Sequence, residues 1–326
     1  MIVNYNGARF LRNCLDALRQ QTYPACLFEV IVVDNGSKDE SALLIQQEYP
    51  EVHLVLAGQN LGFALGNHAG ANQARGEWYL FLNNDTIADP FWLEGIAGAC
   101  RAFPNTGIFA SKLVFSNQPT QLNSTGLDLW RDGHGQDRGY LLSDCGQYEK
   151  EEEVFASCGA ALAIRRDCWN KLGGFDSRHF MYYEDLDLCW RAHFLGIGTT
   201  YLPQSLVQHV HCGSTGEWSP FFTYYVERNR IYTCLKNGDL WLGMWTCISL
   251  LSRLRKAALN WFKALIHNRP DRQNKRELLF VYISTWIGLL LLLPGVLWQR
   301  HRYRFRFCLA NPLKTLPQNN SKPLSP

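Results

Sequence analysis

Three carboxylates fall within four positions of the stretch MYYEDLDLCWR, residues 181–191: Glu184, Asp185 and Asp187, with Tyr182, Tyr183 and Trp190 crowded around them. The stretch follows a Gly-Gly turn at 173–174 and a loop, and its spacing predicts a helix from about Glu184 to Phe194. On that helix Glu184, Asp187 and Arg191 share one face at intervals of three and four, so Asp187 with Arg191 reads as a structural ion pair. Asp185 points the other way, toward Leu188 and Cys189. Burial there raises its pKa and the helix dipole lowers it. An aspartate fixed at the rim of a cleft suits a general base that takes a proton from a hydroxyl, and Glu184 is its immediate acidic neighbour. The competing reading is the ordinary enrichment of acidic residues in the first turn of a helix.

Asp85 suggests a different task. It lies next to last in the run EWYLFLNNDT, residues 77–86, and a hard oxygen ligand at a strand end suits Mg2+ or Mn2+ held against a diphosphate. In PQSLVQHVHCGST, His209 or His211 could complete the metal site, since both follow an apparent strand and precede a Gly-Ser turn.

The elements that would position these groups read as alternating strands and helices. Val30 to Val33 break at Asp34-Asn35-Gly36, His53 to Leu56 break at Gly58 to Asn60, and Trp78 to Leu82 break at Asn83-Asn84-Asp85. Short, continuously apolar runs of this kind read as buried parallel strands. Phe10, Cys14, Leu15 and Leu18 keep helical spacing between them, as do Ala42, Leu43 and Ile45, which gives β-α-β units and an open α/β sheet, mostly parallel and flanked by helices. Ligands of such sheets sit beyond the carboxyl ends of the strands. There the chain places Asn4-Tyr5-Asn6, Asp34-Asn35, Asn60 and Asn83-Asn84-Asp85. Turn formation alone accounts for any one of these clusters, but less easily for four on one rim. Gly62, Gly66 and Gly70 open the next apparent helix, and a glycine-rich helix start suits an anion such as phosphate. Ile2 and Val3 run straight into a polar turn, so the first strand is either very short or continued by residues upstream.

Between the strands GIFASKLVF and VFASCGAALAIRR lies an excursion, roughly residues 117–153, rich in Asp and Gly. A long polar insertion on a rigid sheet is commonly a binding loop; its run Glu149 to Glu153 reads as a solvated face. The net charge of +3 is too small to argue for nucleic acid, and the 11 cysteines form no C-x-x-C pair. With no apolar leader at the start, reduced thiols in a cytosol are expected.

The stretches IVNYNG, QTYP, EVIVVDNGSKD, NLGFALGNHAG, FLNNDT, CGAALAIRRD, GGFDSRHFMYYEDLDLCWR, QHVHCGST and YYVERNRIY occur in order between residue 2 and about residue 232. Together they resemble family 2 of the glycosyltransferases, particularly its rhamnosyltransferase-like branch. The resemblance implies a GT-A fold and transfer of one sugar, rhamnose among the candidates, from a nucleotide-diphosphate donor with inversion at the anomeric carbon. By matching position it implies that Asn4, Tyr5 and Asp34 hold the nucleoside and that Asn60 and Gly62 line the donor pocket. Asp85 matches the last carboxylate of a D-x-D metal motif that here reads Asn83-Asn84-Asp85, with Asn84 on the donor side. Asp185 falls on the base of an E-D motif with Glu184, His209 matches the histidine after the last core strand, and Arg228-Asn229 matches an R-N pair near the acceptor or diphosphate. No Q-x-x-R-W stretch occurs, which favours single addition over processive polymerisation.

The run from Leu278 to Trp298 carries no charge and could cross a bilayer, for which about 20 residues suffice. Basic residues lie on both sides of it, Arg269, Arg272, Lys275 and Arg276 before and Arg300, Arg302, Arg304 and Arg306 after, which opposes a single span under the positive-inside rule. Upstream, Trp241, Met244, Trp245, Ile248 and Leu251 form an amphipathic pattern leading into Arg253, Arg255 and Lys256, and tryptophans beside basic residues suit a headgroup layer. The expected organisation is a catalytic domain over 1–235, a helical membrane-associating region over 236–310 and a disordered tail over 311–326. The favoured arrangement docks the domain on the cytoplasmic face of the membrane, through a tail either re-entrant or lying in the interface. A true span and a buried helix of a soluble protein are the alternatives. A membrane-docked sugar transferase would act on a lipid-linked saccharide, as in surface polysaccharide synthesis. The competing function is a catalytically silent GT-A-like membrane protein that binds a partner. A nucleotidyltransferase would need a Gly-rich basic loop after the first strand, where NYNGARFLRN offers only Gly7, Arg9 and Arg12.

Overall fold

The computed structural model describes residues 1–210, 219–267 and 270–307. His211, Arg269 and the tail over 311–326 lie outside the described residues. The first three strands, β1 (Ile2–Asn4), β2 (Ile31–Asp34) and β3 (His53–Leu56), pair in parallel, with Asn4 opposite Asp34 and Asp34 opposite Leu56. Helices α1 (Ala8–Arg19), α2 (Ser41–Glu48) and α3 (Gly62–Ala71) follow them in turn, as the alternating pattern predicts. The backbone of Met1 joins this sheet to β4 (Trp78–Leu82): its nitrogen donates to Leu80 O at 2.7 Å and its carbonyl accepts from Leu82 N at 3.0 Å.

Beyond β4 the expectation of a mostly parallel sheet gives way to a mixed one. After β5 (Thr86–Ala88) and α4 (Trp92–Ala102), β6 (Ile108–Phe115) enters the second sheet. The excursion then folds as β7 (Gln118–Ser124), a hairpin of β8 (Leu127–Leu129) with β9 (Gly135–Asp137), and β10 (Glu152–Val154). Strand β11 (Ala161–Arg165) runs antiparallel to both β4 and β6, and β12 (Thr199–His209) is parallel to β6 but antiparallel to β5 and β10. Parallel neighbours need a crossover, usually helical; β11 arrives from a stranded excursion, so nothing returns the chain to the starting end.

Helices cover both faces. One core gathers side chains of α3, α5 (Arg166–Leu172) and α6 (Glu184–His193) against Phe81, Ile108 and Ile164; the other gathers α1, α2 and α4 against Val32, Leu82 and Phe109. Three further helices follow, α7 (Pro220–Asn237), α8 (Leu240–Ile266) and α9 (Arg272–Phe307). They share a core of Ile231, Tyr232, Leu250, Leu289 and Val296. Helix α9 runs unbroken through Pro294. It buries Leu289 and Val296 but leaves Leu278, Phe280, Ile287, Leu290, Leu291 and Trp298 exposed, alongside Trp241, Trp245 and Ile248 of α8. Among the described residues this is the one helix long and apolar enough to cross a membrane. A cavity of about 530 Å³ between Met1, Tyr23, Trp78 and Cys100 lies at the amino ends of β1 and β4, away from the polar clusters.

Candidate active site

At the carboxyl rim, Asn4 and Asp34 are register neighbours, and both are buried. Asn4 Oδ1 accepts from Asn84 Nδ2 at 2.7 Å, and Asn4 Nδ2 donates to Ser37 Oγ at 3.2 Å. Asp34 Oδ2 accepts from Ser37 N at 3.2 Å, whereas its buried Oδ1 has no partner. An orphaned buried carboxylate oxygen at a strand end is costly unless a ligand donor satisfies it, which suits a nucleoside hydroxyl or N–H. Tyr5, beside it, is exposed.

The glycine-rich start of α3 does not serve as the anion site its sequence predicts. Leu61 N donates to Asn35 Oδ1 and Gly62 N to Asn60 Oδ1, both at 2.9 Å, while Phe63 N and Ala64 N donate to Phe180 O at 2.6 and 3.2 Å. The amides are already taken. Gly62 has φ +78°, and a Cβ there would fall 2.5 Å from the Phe180 ring. Asn60 and Gly62 therefore shape the join between α3 and the loop at Phe180.

Asp85 and His209, distant in sequence, meet where β12 pairs with β5: His209 Nε2 lies 3.4 Å from Asp85 Oδ1, both buried. The other ring nitrogen, Nδ1, lies 2.8 Å from Asn123 Oδ1. Nε2 lies 3.5 Å from Asn83 Nδ2 as well. A histidine nitrogen beside a carboxylate oxygen is a donor set that a divalent cation takes, and the Asn123 contact is the kind that orients a ligating imidazole. Asp176, His179 and Asp187 also converge closely enough to suggest a metal. There, however, Lys236 Nζ sits 2.7 Å from Asp176 and 2.5 Å from Asp187, with Arg191 at 2.8 Å from Asp187, so an ammonium fills the place of a cation. Burial opposes ionisation of Asp187, yet Lys236 and Arg191 hold its pKa down to about 2. The expected Asp187–Arg191 pair is present, inside a larger buried network.

Asp185 is fixed at the first turn of α6. Its Oδ2 accepts from Gly159 N and its Oδ1 from Leu186 N, both at 2.7 Å. A Cβ at residue 159 would fall 3.2 Å from Oδ2, so glycine lets the carboxylate approach the backbone. Burial raises the pKa of Asp185, partly offset by those two amides. Burial, then the charge of Asp185, pushes Glu184 well above the carboxylate range, and Glu184 Oε2 is buried without a partner. Burial thus pushes both neighbouring carboxyls toward the neutral form, Glu184 the further of the two, while the two amides favour the charged form of Asp185.

The loop that delivers Asp185 is strained. Phe180, Tyr182 and Tyr183 have φ of 65°, 69° and 70°. Phe180, with ψ −62°, forms a γ-turn of the rare strained kind, closed by Met181 N to His179 O at 2.8 Å. Arg228 and Asn229 restrain it. Asn229 Nδ2 lies 2.8 Å from the carbonyls of His179, Met181 and Tyr182, and Arg228 Nη2 donates to Arg178 O at 2.7 Å and His179 O at 2.9 Å. The R-N pair expected near acceptor or diphosphate thus has these donors engaged with backbone.

Sequence reasoning missed Asp137, the last residue of β9. Its Oδ1 is buried without a partner, and its carboxylate lies against the Ser124 hydroxyl and Cys158 thiol within electrostatic reach of both Asp185 and His209. Burial, then the Asp185 charge, pushes it up to about 6. The signal was the Asp- and Gly-rich composition of the excursion, which marks a loop and singles out no residue.

The chain is similar to proteins that handle sugars. It is 29% identical over 231 residues to the O-antigen biosynthesis protein RfbC of Myxococcus xanthus, a match covering 67% of this chain and only 18% of that one. It is 28% identical over 216 residues to an N-acetylglucosaminyl-diphospho-decaprenol L-rhamnosyltransferase of Mycobacterium tuberculosis, covering 57% of this chain and 68% of that one. The mannosyltransferase PcManGT of Pyrobaculum calidifontis, solved with GDP-Man and Mn2+, superposes with a TM-score of 0.53 at 15% identity over 89% of this chain and 85% of that one. Residues 1–349 of TarS from S. aureus, solved with UDP-GlcNAc, give 0.50 at 18% identity over 73% of this chain and 66% of that one. These likenesses show the GT-A fold. Residues 1–170 match the family described as Glycosyl transferase family 2, and with the rhamnosyltransferase-like relatives beside that match, the chain belongs to glycosyl transferase family 2.

Proposed function

We propose that the chain moves one sugar, rhamnose foremost, from a nucleotide-diphosphate donor to a hydroxyl of a lipid-linked saccharide, inverting the anomeric centre, in surface polysaccharide synthesis. The observation that supports this is the rim on which Asn4, paired with Asp34, bonds Asn84 next to the Asp85–His209 pair, with His209 and Asp185 both within electrostatic reach of Asp137. In this reading the nucleoside meets Asp34, Asn4 and Tyr5, and the diphosphate lies at Asp85 and His209. Mg2+ or Mn2+ held there would neutralise charge on the leaving diphosphate. Asp185 removes the acceptor hydroxyl proton as the oxygen attacks the anomeric carbon from the face opposite the diphosphate. The new C–O bond forms as the bond to the diphosphate breaks, and Asp185 retains the proton. Glu184, whose ionisation burial and the Asp185 charge oppose, limits a second negative charge beside it.

An acceptor with a polyprenyl-diphosphate anchor suits both the acceptor in the rhamnosyltransferase relative's name and the exposed apolar faces of α8 and α9. Residues 1–235 would then be the catalytic domain and 236–310 the part that rests on the cytoplasmic membrane surface. The test is transfer by the full chain from a panel of nucleotide sugars (a nucleoside-diphosphate-rhamnose, UDP-GlcNAc, GDP-mannose) to polyprenyl-diphosphate-linked N-acetylglucosamine in vesicles. One donor should give a product of inverted configuration. If every donor is left intact and none raises the melting temperature, the reading fails.

A further inference from the structure

Two pairs of chain neighbours, Asn123–Ser124 and Cys158–Gly159, connect His209 and Asp185 to the surroundings of Asp137. Asn123 of β7 meets His209 at 2.8 Å, and its neighbour Ser124 meets Asp137. Cys158 also lies beside Asp137, and the next residue, Gly159, donates its amide to Asp185 at 2.7 Å. Asp137 is therefore within electrostatic reach of both ends of the interval between the group assigned to the diphosphate and the group assigned to the acceptor. A sugar in transfer occupies that interval, because its anomeric carbon is bonded to the diphosphate on one side and attacked on the other. A carboxylate oxygen there can only accept a hydrogen bond unless protonated, and a sugar ring presents hydroxyl donors.

We propose that Asp137 reads the transferred sugar: its unpartnered Oδ1 accepts a hydrogen bond from a ring hydroxyl of the donor, selecting donors that carry that hydroxyl in the right orientation. This rests on the glycosyl-transfer reading. A site built to bond a hydroxyl discriminates strongly against an analogue that lacks it, since the buried acceptor is then left unpaired. Asp137 sits on the β8–β9 hairpin, in the excursion rather than the parallel half of the sheet. Donor choice would thus be set by a segment separate from the one that holds the nucleoside.

The experiment uses the full chain with Asp137→Ala and Asp137→Asn. Each is assayed with the best donor of the nucleotide-sugar panel, with a series of its monodeoxy analogues, and for binding of the corresponding nucleoside diphosphate with Mn2+. Asp137→Ala should lower kcat/KM for the full donor at least tenfold and bring one deoxy analogue level with it. Asp137→Asn, which keeps an acceptor oxygen, should recover part of the loss. Nucleoside diphosphate affinity should stay within a few-fold in both. Unchanged discrimination among the deoxy donors overturns the assignment, as does a parallel fall in nucleoside diphosphate affinity, which would move Asp137 to the metal side. A wild-type chain inactive with every donor sinks the transfer reading itself, a result distinct from either.

Discussion

The strained loop ahead of Asp185 allows a quantitative prediction at Asn229. An amide NH2 has two protons, so its three contacts at 2.8 Å amount to about two full hydrogen bonds. Each contributes roughly 1 kcal/mol net, and a buried carbonyl left without a donor costs roughly 1–3 kcal/mol. Asn229→Ala should therefore weaken the loop by about 2–4 kcal/mol. Against this stands the strain of Phe180, Tyr182 and Tyr183, on the order of 1–3 kcal/mol each. The pin is thus comparable to what it restrains, and about 2–4 kcal/mol changes a local equilibrium by roughly 30- to 1000-fold.

Amide exchange of Asp187, whose N–H bonds to Tyr183 O at 2.9 Å, should accelerate within that range. Turnover should fall at least tenfold, with donor affinity nearly unchanged. Asn229→Asp is the discriminating control, being isosteric but turning an acceptor toward three carbonyls, so it should be at least as damaging as alanine. If Asn229→Asp matched wild type in exchange and turnover, the claim that Nδ2 donation holds the loop would be refuted.

Asp185→Asn should abolish transfer while leaving donor affinity within a few-fold, since the proton acceptor is lost and the diphosphate contacts are not; near-normal turnover would remove Asp185 as base. Because burial raises its pKa, wild-type turnover should fall on acidification at a higher pH than an ordinary carboxylate would set, which a pH–rate profile checks. Glu184 has a folded pKa well above its unfolded value of about 4.3. Between the two the folded chain binds more protons, so its stability falls as pH rises through that window. Glu184→Gln should therefore gain melting temperature over wild type as pH rises from about 4, and a gain independent of pH would contradict the assignment. Lys236→Ala strands Asp176 and Asp187 without their ammonium and should cost about 3–5 kcal/mol in denaturant unfolding; a loss below about 1 kcal/mol would show that the network is not buried as described.

What the sequence made legible follows from range. The runs at Val30–Val33, His53–Leu56 and Trp78–Leu82 each became a strand because continuous apolar β-branched and aromatic residues carry their own signal. Asp187 and Arg191 paired because helical spacing decides it locally. The glycines of α3 misled, since the same pattern serves an anion site or a close packing join. The choice was made by Phe180, whose carbonyl arrives from more than a hundred residues away. Asp137 was illegible for the same reason: its significance lies in Ser124, Cys158, Asp185 and His209, which only the folded sheet assembles. The resemblance placed the R-N pair near the reaction but could not say that its donors go to backbone, because that depends on loop conformation.

Helix α7 ties the two halves of the chain into one device. On one side Arg228 and Asn229 hold the loop that presents Asp185; on the other, α9 packs so closely that a Cβ at Gly288 would fall 3.1 Å from Arg228 Cδ, and one at Gly295 would meet Arg178. Helix α9, proposed to rest on the membrane, therefore buttresses the residues that position the base. Removing α8 and α9 would do more than detach the chain from a lipid surface: it would strip the packing from Arg228 and Arg178. A truncation after α7 should accordingly lose turnover even on a water-soluble acceptor, so low activity of that form cannot by itself be credited to lost membrane contact. Separating the two needs the full chain with exposed apolar positions such as Trp241 and Trp245 exchanged for polar residues, because those side chains face away from α7 and leave the buttress in place.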